Sequence, residues 1–155
     1  MVQVSRVYYL FKDPVTMDKE FGYKKLEIYH LSHELAVRVH KMSLELPKFE
    51  IYEEASQIRR SSKSISNNIV EGYALRKYKN EFLHYLYRAY GSSEETVEHL
   101  RFLFECESLK EKTIYEELVK RYLELNSKLF RYIQFVEKEF EKPSFLKEPS
   151  EEYNT

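Results

Sequence analysis

The fold is decided by residues 57–72, QIRRSSKSISNNIVEG, which place apolar or small side chains at alternating steps of three and four. The same spacing begins a few residues earlier. Its positions are Ile51, Ala55, Ile58, Ser62, Ile65 and Ile69. A seam of this kind keeps one face of a helix turned toward a partner helix. We therefore predict a helix from about Ile51 to Leu75.

A second stripe of small and amide side chains lies about 100° around this helix from the seam. Small residues let another helix approach closely, and hydroxyls and amides can bond across the contact. A solvated polar face is the alternative, although Ser and Asn are weak helix formers. Glu71 follows Asn67 by four residues and could bond it, or could meet an arginine of a neighbouring chain. The predicted helix-contact or subunit-interface residues are Gln57, Ser61, Ser64, Asn68, Glu71 and Gly72.

Three further segments carry helical periodicity, from about Tyr23 to Leu46, Tyr78 to Leu109 and Thr113 to Glu141. Pro47 ends the first of them. Their predicted core stripes are Ile28, Leu31, Leu35, Val39, Met42 and Leu46; Phe82, Leu86, Ala89, Ser93, Val97, Leu100 and Phe104; and Leu118, Tyr122, Leu125, Leu129, Tyr132 and Val136. Long helices with short connections pack antiparallel, so the sequence predicts an all-α, up-down-up-down four-helix bundle.

The two ends of the chain do not match this pattern. Residues 1–20 form an N-terminal arm that reads as extended and either docks on the bundle or precedes a natural start at Met17. Residues 21–142 form the bundle. Residues 143–155 hold two prolines and many polar residues, which predicts a flexible tail.

Composition excludes several classes of protein. The 155 residues include 3 Gly, 4 Pro and 1 Cys, with a net charge of −1. So few turn formers argue against a β-rich fold, and a lone Cys106 excludes an internal disulfide. No apolar run reaches the ~18 residues of a membrane span. The N-terminus also lacks the pattern of a signal peptide, so we expect a cytoplasmic protein.

Two of the predicted helices carry more apolar surface than one bundle face needs. The additional residues are Leu83, Tyr87 and Tyr90 on the third helix and Val119, Leu123, Phe130 and Ile133 on the fourth. A second apolar strip suggests a subunit interface and hence a homo-oligomer. The alternative is a wide core face under the N-terminal arm.

Positive charge is concentrated in residues 57–90. This segment has seven basic residues and only Glu71 and Glu81 as acidic ones. The candidate nucleic-acid-binding residues are Arg59, Arg60, Lys63, Arg76, Lys77, Lys79 and Arg88. Tyr73, Tyr78, Tyr85 and Tyr87 could stack on unpaired bases. Alternatively, the arginines pair with the acidic third and fourth helices and the tyrosines belong to the core or an interface.

No catalytic arrangement has convincing spacing. There is no phosphate loop, nucleophile elbow or zinc pattern. His30 and His33 are three residues apart with Glu34 after them, whereas a zincin motif needs a spacing of four with the Glu between. Cys106 is predicted to be a small apolar filler. We expect no enzymatic activity, no cofactor and no metal site.

Several of these segments together resemble the four-helix bundle proteins encoded in 23S rRNA intervening sequences. The resemblance covers residues 21–109 by motif and continues to about 140 by helix pattern. The matching positions are Pro47, Glu50, Gln57, Ile58, Arg59, Arg60, Ser64, Ile65, Asn68, Ile69, Glu71, Gly72, Lys79, Glu81, Phe82, Ala89, Gly91, Ser92 and Glu95. The chain departs from the family at Ser61, Ser62 and Val70, and in its N-terminal arm.

The resemblance implies antiparallel bundles that assemble as ring-shaped homopentamers. One branch, the accessory variability proteins of diversity-generating retroelements, binds nucleic acid and a reverse transcriptase. The leading hypothesis is therefore a non-enzymatic oligomer that binds RNA more readily than DNA through residues 57–90. The alternative is a protein-interaction scaffold, for example one that recruits a reverse transcriptase.

Overall fold

The computed structural model describes residues 22–139, which form four long helices and contain no strand. We label them α1 (Glu27–Leu44), α2 (Glu54–Ala74), α3 (Lys79–Glu105) and α4 (Lys112–Glu139). Short 3₁₀ turns at Tyr23–Lys25 and Lys48–Tyr52 precede α1 and α2. The all-α prediction is confirmed. The predicted N-terminal arm and C-terminal tail lie outside the described residues.

Cross-helix bonds show that neighbouring helices run antiparallel. Along α2 and α3, Glu54 meets His99 while Ser64 meets Ser92, so one number rises as the other falls. The ion pairs Lys128–Glu27 and Arg38–Glu117 give the same relation for α4 and α1. With Asn126 bonded to Glu94 between α4 and α3, the helices follow one another around the bundle in chain order. The up-down-up-down topology is confirmed.

The core follows the predicted stripes closely, with two corrections. Ile133 was predicted to lie in a second strip of α4, but it is buried in the core. Phe104 was predicted in the α3 stripe, whereas Leu103 takes the core position. The Phe104 ring instead stacks on Tyr115 of α4, with 4.2 Å between the ring centroids. In both cases the buried position differs from the predicted one by about one residue, or 100° around the helix. Sequence periodicity alone resolves such a difference poorly.

Buried Glu50 connects the two loops at one end of the bundle. One carboxylate oxygen accepts a bond of 2.5 Å from the Ser108 hydroxyl, and the other accepts from the Glu54 amide at the start of α2. The loop that contains Ser108 begins when Glu107 enters the left-handed region with φ of 62°. This turn ends α3 at Glu105, four residues before the predicted end.

The second apolar strip is only partly exposed. Leu83, Tyr90 and Val119 are half-buried against the core. Tyr87, Leu123 and Phe130 remain about half exposed, and the Tyr87 hydroxyl donates to Glu137. The strip that is left on α4 is therefore narrower than the sequence suggested. Among the described helices, none is both long and apolar enough to cross a membrane.

Candidate nucleic-acid interface

The small-residue stripe of α2 faces α3 of the same chain. Ser61 is buried and accepts a 2.8 Å bond from Thr96, and Ser64 accepts a 3.1 Å bond from Ser92. Gly72 is packed so tightly that an added Cβ would lie 2.8 Å from Tyr85 Cβ. Ser61, Ser64 and Gly72, which the sequence predicts as helix-contact or subunit-interface residues, thus contact a helix of the same chain.

The remaining members of that set lie at the outer edge of the contact. Half-buried Asn68 donates to both the backbone oxygen and the hydroxyl of Ser64. Gln57 and Glu71 are exposed. A subunit interface that uses them stays a prediction.

A shallow groove of about 770 Å³ runs along the outer side of the α2–α3 contact. Positions three, four and seven residues apart on each helix share one face, which brings these side chains together. Three cations, Arg60, Lys63 and Arg88, line the groove. The other lining residues are Ser64, Asn67, Asn68, Glu71, Gly91, Ser92 and Glu95. The floor of the groove thus consists of small polar residues, and its positive charge comes from long flexible side chains.

Within residues 22–139, the groove cations have no ion-pair partner. Arg60 and Lys63 are exposed and form no side-chain hydrogen bond or ion pair among residues 22–139. Arg88 lies 5.7 Å from the centroid of the Tyr85 ring. Of the two carboxylates present, Glu95 contacts His99. A ligand with negative charge would therefore meet cations that need not first give up another partner.

Gly91 lies in the middle of α3 at the wall of this groove. An added Cβ would have no heavy atom within 4 Å, apart from the helix's own backbone and its chain neighbours. A glycine inside a helix costs roughly 1 kcal/mol relative to alanine. Packing within the chain gives no reason for that cost. A surface without side chains at this point does permit close approach from outside.

Arg59 has a different environment from the other basic residues. Its guanidinium donates to the Ser43 hydroxyl at 3.0 Å and to the Ile51 carbonyl at 3.3 Å. These bonds join α2 to the end of α1 and to the connecting turn. Arg59, a candidate nucleic-acid-binding residue, therefore turns toward α1 and does not line the groove.

The last three predicted cations lie at the turn between α2 and α3, away from the groove. Arg76 covers the Tyr73 ring at 4.3 Å and donates to the Tyr73 carbonyl. Lys79 donates to the Glu137 carbonyl of α4. Lys77 is exposed, 5.9 Å from the centroid of the Tyr78 ring. The seven predicted residues thus divide into a groove set, an inward arginine and a turn set.

Three titratable groups show how these cations and the core act on their neighbours. Burial, followed by the charges of Lys63 and Arg59, lowers the pKa of His40 from its ordinary value of 6.5. Burial alone dominates for Tyr132, whose pKa rises to about 12. The Tyr122 hydroxyl is fully buried without a hydrogen-bond partner in the described part of the chain, and its pKa is also raised. None of these groups lines the groove.

Other reactive groups show little organisation. No cluster of three or more metal-binding side chains occurs in the part of the chain that the structure describes. Cys106 was predicted to fill the core, but it is exposed at the end of α3.

The protein is thus an antiparallel four-helix bundle. Its α2–α3 face carries a groove that has basic side chains and a floor of small polar residues. Residues 24–131 match the family model described as 23S rRNA-intervening sequence protein. The chain belongs to this family. No curated protein matches it significantly.

A solved structure is also similar to the chain. It is a protein of unknown function from the S23 ribosomal protein family of Bacteroides thetaiotaomicron, with 28% identity and a TM-score of 0.60. The match covers 69% of this chain and 95% of the other. Family and fold are thereby established.

Proposed function

We propose that this protein is a non-enzymatic nucleic-acid-binding bundle whose contact surface is the α2–α3 groove. The observation that carries the proposal is the convergence of Arg60, Lys63 and Arg88 on one groove, where none of them has an ion-pair partner among the described residues. RNA is the first choice of ligand because the family is described by an intervening sequence of 23S rRNA.

The mechanism is electrostatic positioning of a phosphate backbone. Small residues such as Ser64, Gly91 and Ser92 leave room for the backbone, while the cations release counterions from it. Three contacts correspond to a slope of about −2 to −3 in a plot of log K against log salt for one chain. Such contacts position a nucleic acid without reading its sequence, so we expect little sequence preference.

Salt-dependent binding tests this proposal. A structured RNA and a duplex DNA of equal length are titrated with the wild type and with the Arg60→Ala/Lys63→Ala/Arg88→Ala variant. We expect the variant to bind more weakly and to lose two to three units of salt slope, as about one unit per lost contact requires. A matched control, Lys48→Ala/Lys110→Ala/Lys112→Ala, removes three exposed cations from the other end of the bundle. Equal losses in the two variants, or no binding by the wild type, would contradict the proposal.

A protein-interaction scaffold is the second candidate, favoured by the exposed apolar side chains of α4. Leu123 and Phe130 are 52% and 47% exposed, and a shallow apolar groove beside Leu123 includes Val119. We propose that this strip binds another copy of the chain, with the ring-shaped homopentamer of the resemblance as the expected assembly. A reverse transcriptase is the alternative occupant that the resemblance suggests.

Sedimentation of the Leu123→Ser/Phe130→Ser variant tests the strip. We expect the wild type to sediment as an oligomer and the variant as a smaller species with the same helix content. An oligomer of unchanged size would exclude this strip as the subunit interface. Assembly would also repeat the groove once per copy, which strengthens binding to a long RNA without any new contact.

A further inference from the structure

Among residues 22–138, charge is distributed unevenly between the two ends of the bundle. The end formed by residues 22–28, 71–81 and 128–138 has eight basic and four acidic side chains. The opposite end, formed by residues 41–54 and 98–117, has five basic and ten acidic side chains. Because a polyanion is attracted to the basic end and repelled by the other, the position of a bound nucleic acid along the bundle is biased.

A second groove, of about 400 Å³, opens at this basic end between the start of α1 and the end of α4. It is separate from the α2–α3 groove and shares no residue with it. Its walls carry Lys25 and Arg131, and its aromatic members are Tyr132 and Phe135. Phe135 is 48% exposed, and its ring centroid lies 6.0 Å from that of Tyr132.

Within this groove, the local carboxylate does not cancel the cations. Glu27 accepts a 2.6 Å bond from Lys128, which commits one of the three lining cations to it. Lys25 is exposed and forms no side-chain hydrogen bond or ion pair in the described range. Among the described residues, the Arg131 Nε donates to the Ser127 carbonyl of its own helix, and its charge helps to lower the pKa of Glu27 after the larger effect of Lys128. Two cations therefore flank an exposed aromatic ring.

We infer that the α1–α4 groove binds an unpaired nucleotide of an RNA strand, with the base stacked on Phe135 and phosphates on Lys25 and Arg131. The inference rests on the proposed function and adds to it a preference for unpaired over paired RNA. Stacking on an exposed ring needs an unpaired base, and each stacked base strengthens binding. A duplex keeps its bases stacked on each other and can use only the cations.

The discriminating experiment compares a single-stranded RNA with a blunt RNA duplex of the same length. We expect Phe135→Ala to weaken binding of the single strand roughly ten-fold and to leave duplex binding unchanged. Phe135→Tyr should keep wild-type affinity, since a tyrosine ring stacks equally well. The matched control is Phe102→Ala, which removes a ring of 47% exposure from α3 toward the acidic end.

A fluorescent base reports stacking separately from affinity when the variants are compared at saturating protein, and circular dichroism verifies that each variant is folded. With 2-aminopurine in the single strand, wild type and Phe135→Tyr should change the fluorescence of the bound base, and Phe135→Ala should not. Binding that depends on Arg60, Lys63 and Arg88 but not on Phe135 would overturn this inference alone. Equal losses of single-strand and duplex binding in Phe135→Ala would also overturn it. A wild type that binds neither RNA would contradict the proposed function itself.

Discussion

Two glycines of the bundle, Gly72 and Gly91, should respond in opposite directions to the same replacement by alanine. Both lie within helices, so alanine gains up to about 1 kcal/mol of helix propensity at either site. At Gly91 the new methyl group meets open space. Gly91→Ala should therefore raise the free energy of unfolding by about 1 kcal/mol, or the melting temperature by about 4 °C.

Gly72→Ala has to accommodate a methyl group at the closest approach of α2 and α3. The added Cβ would lie 2.8 Å from Tyr85 Cβ and 3.2 Å from a Phe82 ring carbon. Neither atom is the free end of a flexible chain, so the helices must separate. Overpacking of this kind costs roughly 1–3 kcal/mol, which outweighs the propensity gain and leaves a net loss of up to about 2 kcal/mol.

Urea unfolding followed by circular dichroism measures both effects, at two protein concentrations to separate folding from assembly. The two variants should differ by roughly 1–3 kcal/mol, which is the overpacking cost alone because the propensity gain is common to both. Destabilisation by Gly91→Ala would refute the reasoning, since some group would then have to cover Gly91. Stabilisation by Gly72→Ala would show that α2 and α3 adapt freely.

Three further expectations follow from single contacts. Glu50→Ala should lower the free energy of unfolding by about 1–3 kcal/mol, because it leaves the buried Ser108 hydroxyl without its acceptor. In the same urea titration, replacing the exposed Glu53 by Ala should change the free energy of unfolding by less than about 0.5 kcal/mol. Arg59→Ala should lower the free energy of unfolding by about 1 kcal/mol and leave the salt slope of RNA binding unchanged. Arg60→Ala should leave the free energy of unfolding unchanged and reduce the salt slope. A reduced slope in Arg59→Ala would mean that Arg59 contacts the nucleic acid. The pKa of His40 is lowered in the folded state, so the unfolded chain binds a proton first as pH falls below 6.5, and the stability that neutral His40 contributes is lost there. In unfolding curves from pH 8 to 5, the free energy of unfolding should therefore decline less in His40→Gln than in the wild type.

The sequence determined the bundle and most of its core. Spacings of three and four in Ile58, Ile65 and Ile69 specify which face of α2 is buried, because a helix turns about 100° per residue whatever surrounds it. Pro47 and the short connections then leave antiparallel packing as the arrangement that closes the core. The small stripe through Ser61 and Gly72 was likewise readable, since weak helix formers in a regular row indicate a contact.

The candidate site could be predicted only in part. The basic segment was visible as a charge count, but its division was not. Arg59 and Arg60 are neighbours in sequence but lie about 100° apart around α2, so that one is bonded to Ser43 and the other lines the groove. A cation is bonded within the chain only if another helix brings a hydrogen-bond acceptor within about 3 Å of it. The spacing of residues along the sequence does not show whether that happens.

The packing of the four helices determines which distant residues share a groove. Lys25 and Phe135 are 110 positions apart in the chain but line one cleft, because α1 and α4 lie side by side in opposite directions. The same packing buries Ile133 in the core and leaves Leu123 and Phe130 about half exposed, although these three side chains lie on neighbouring positions around α4. Periodicity within a helix is a local property that the sequence determines, whereas the identity of the facing residue depends on how four helices rotate and shift to fill one core.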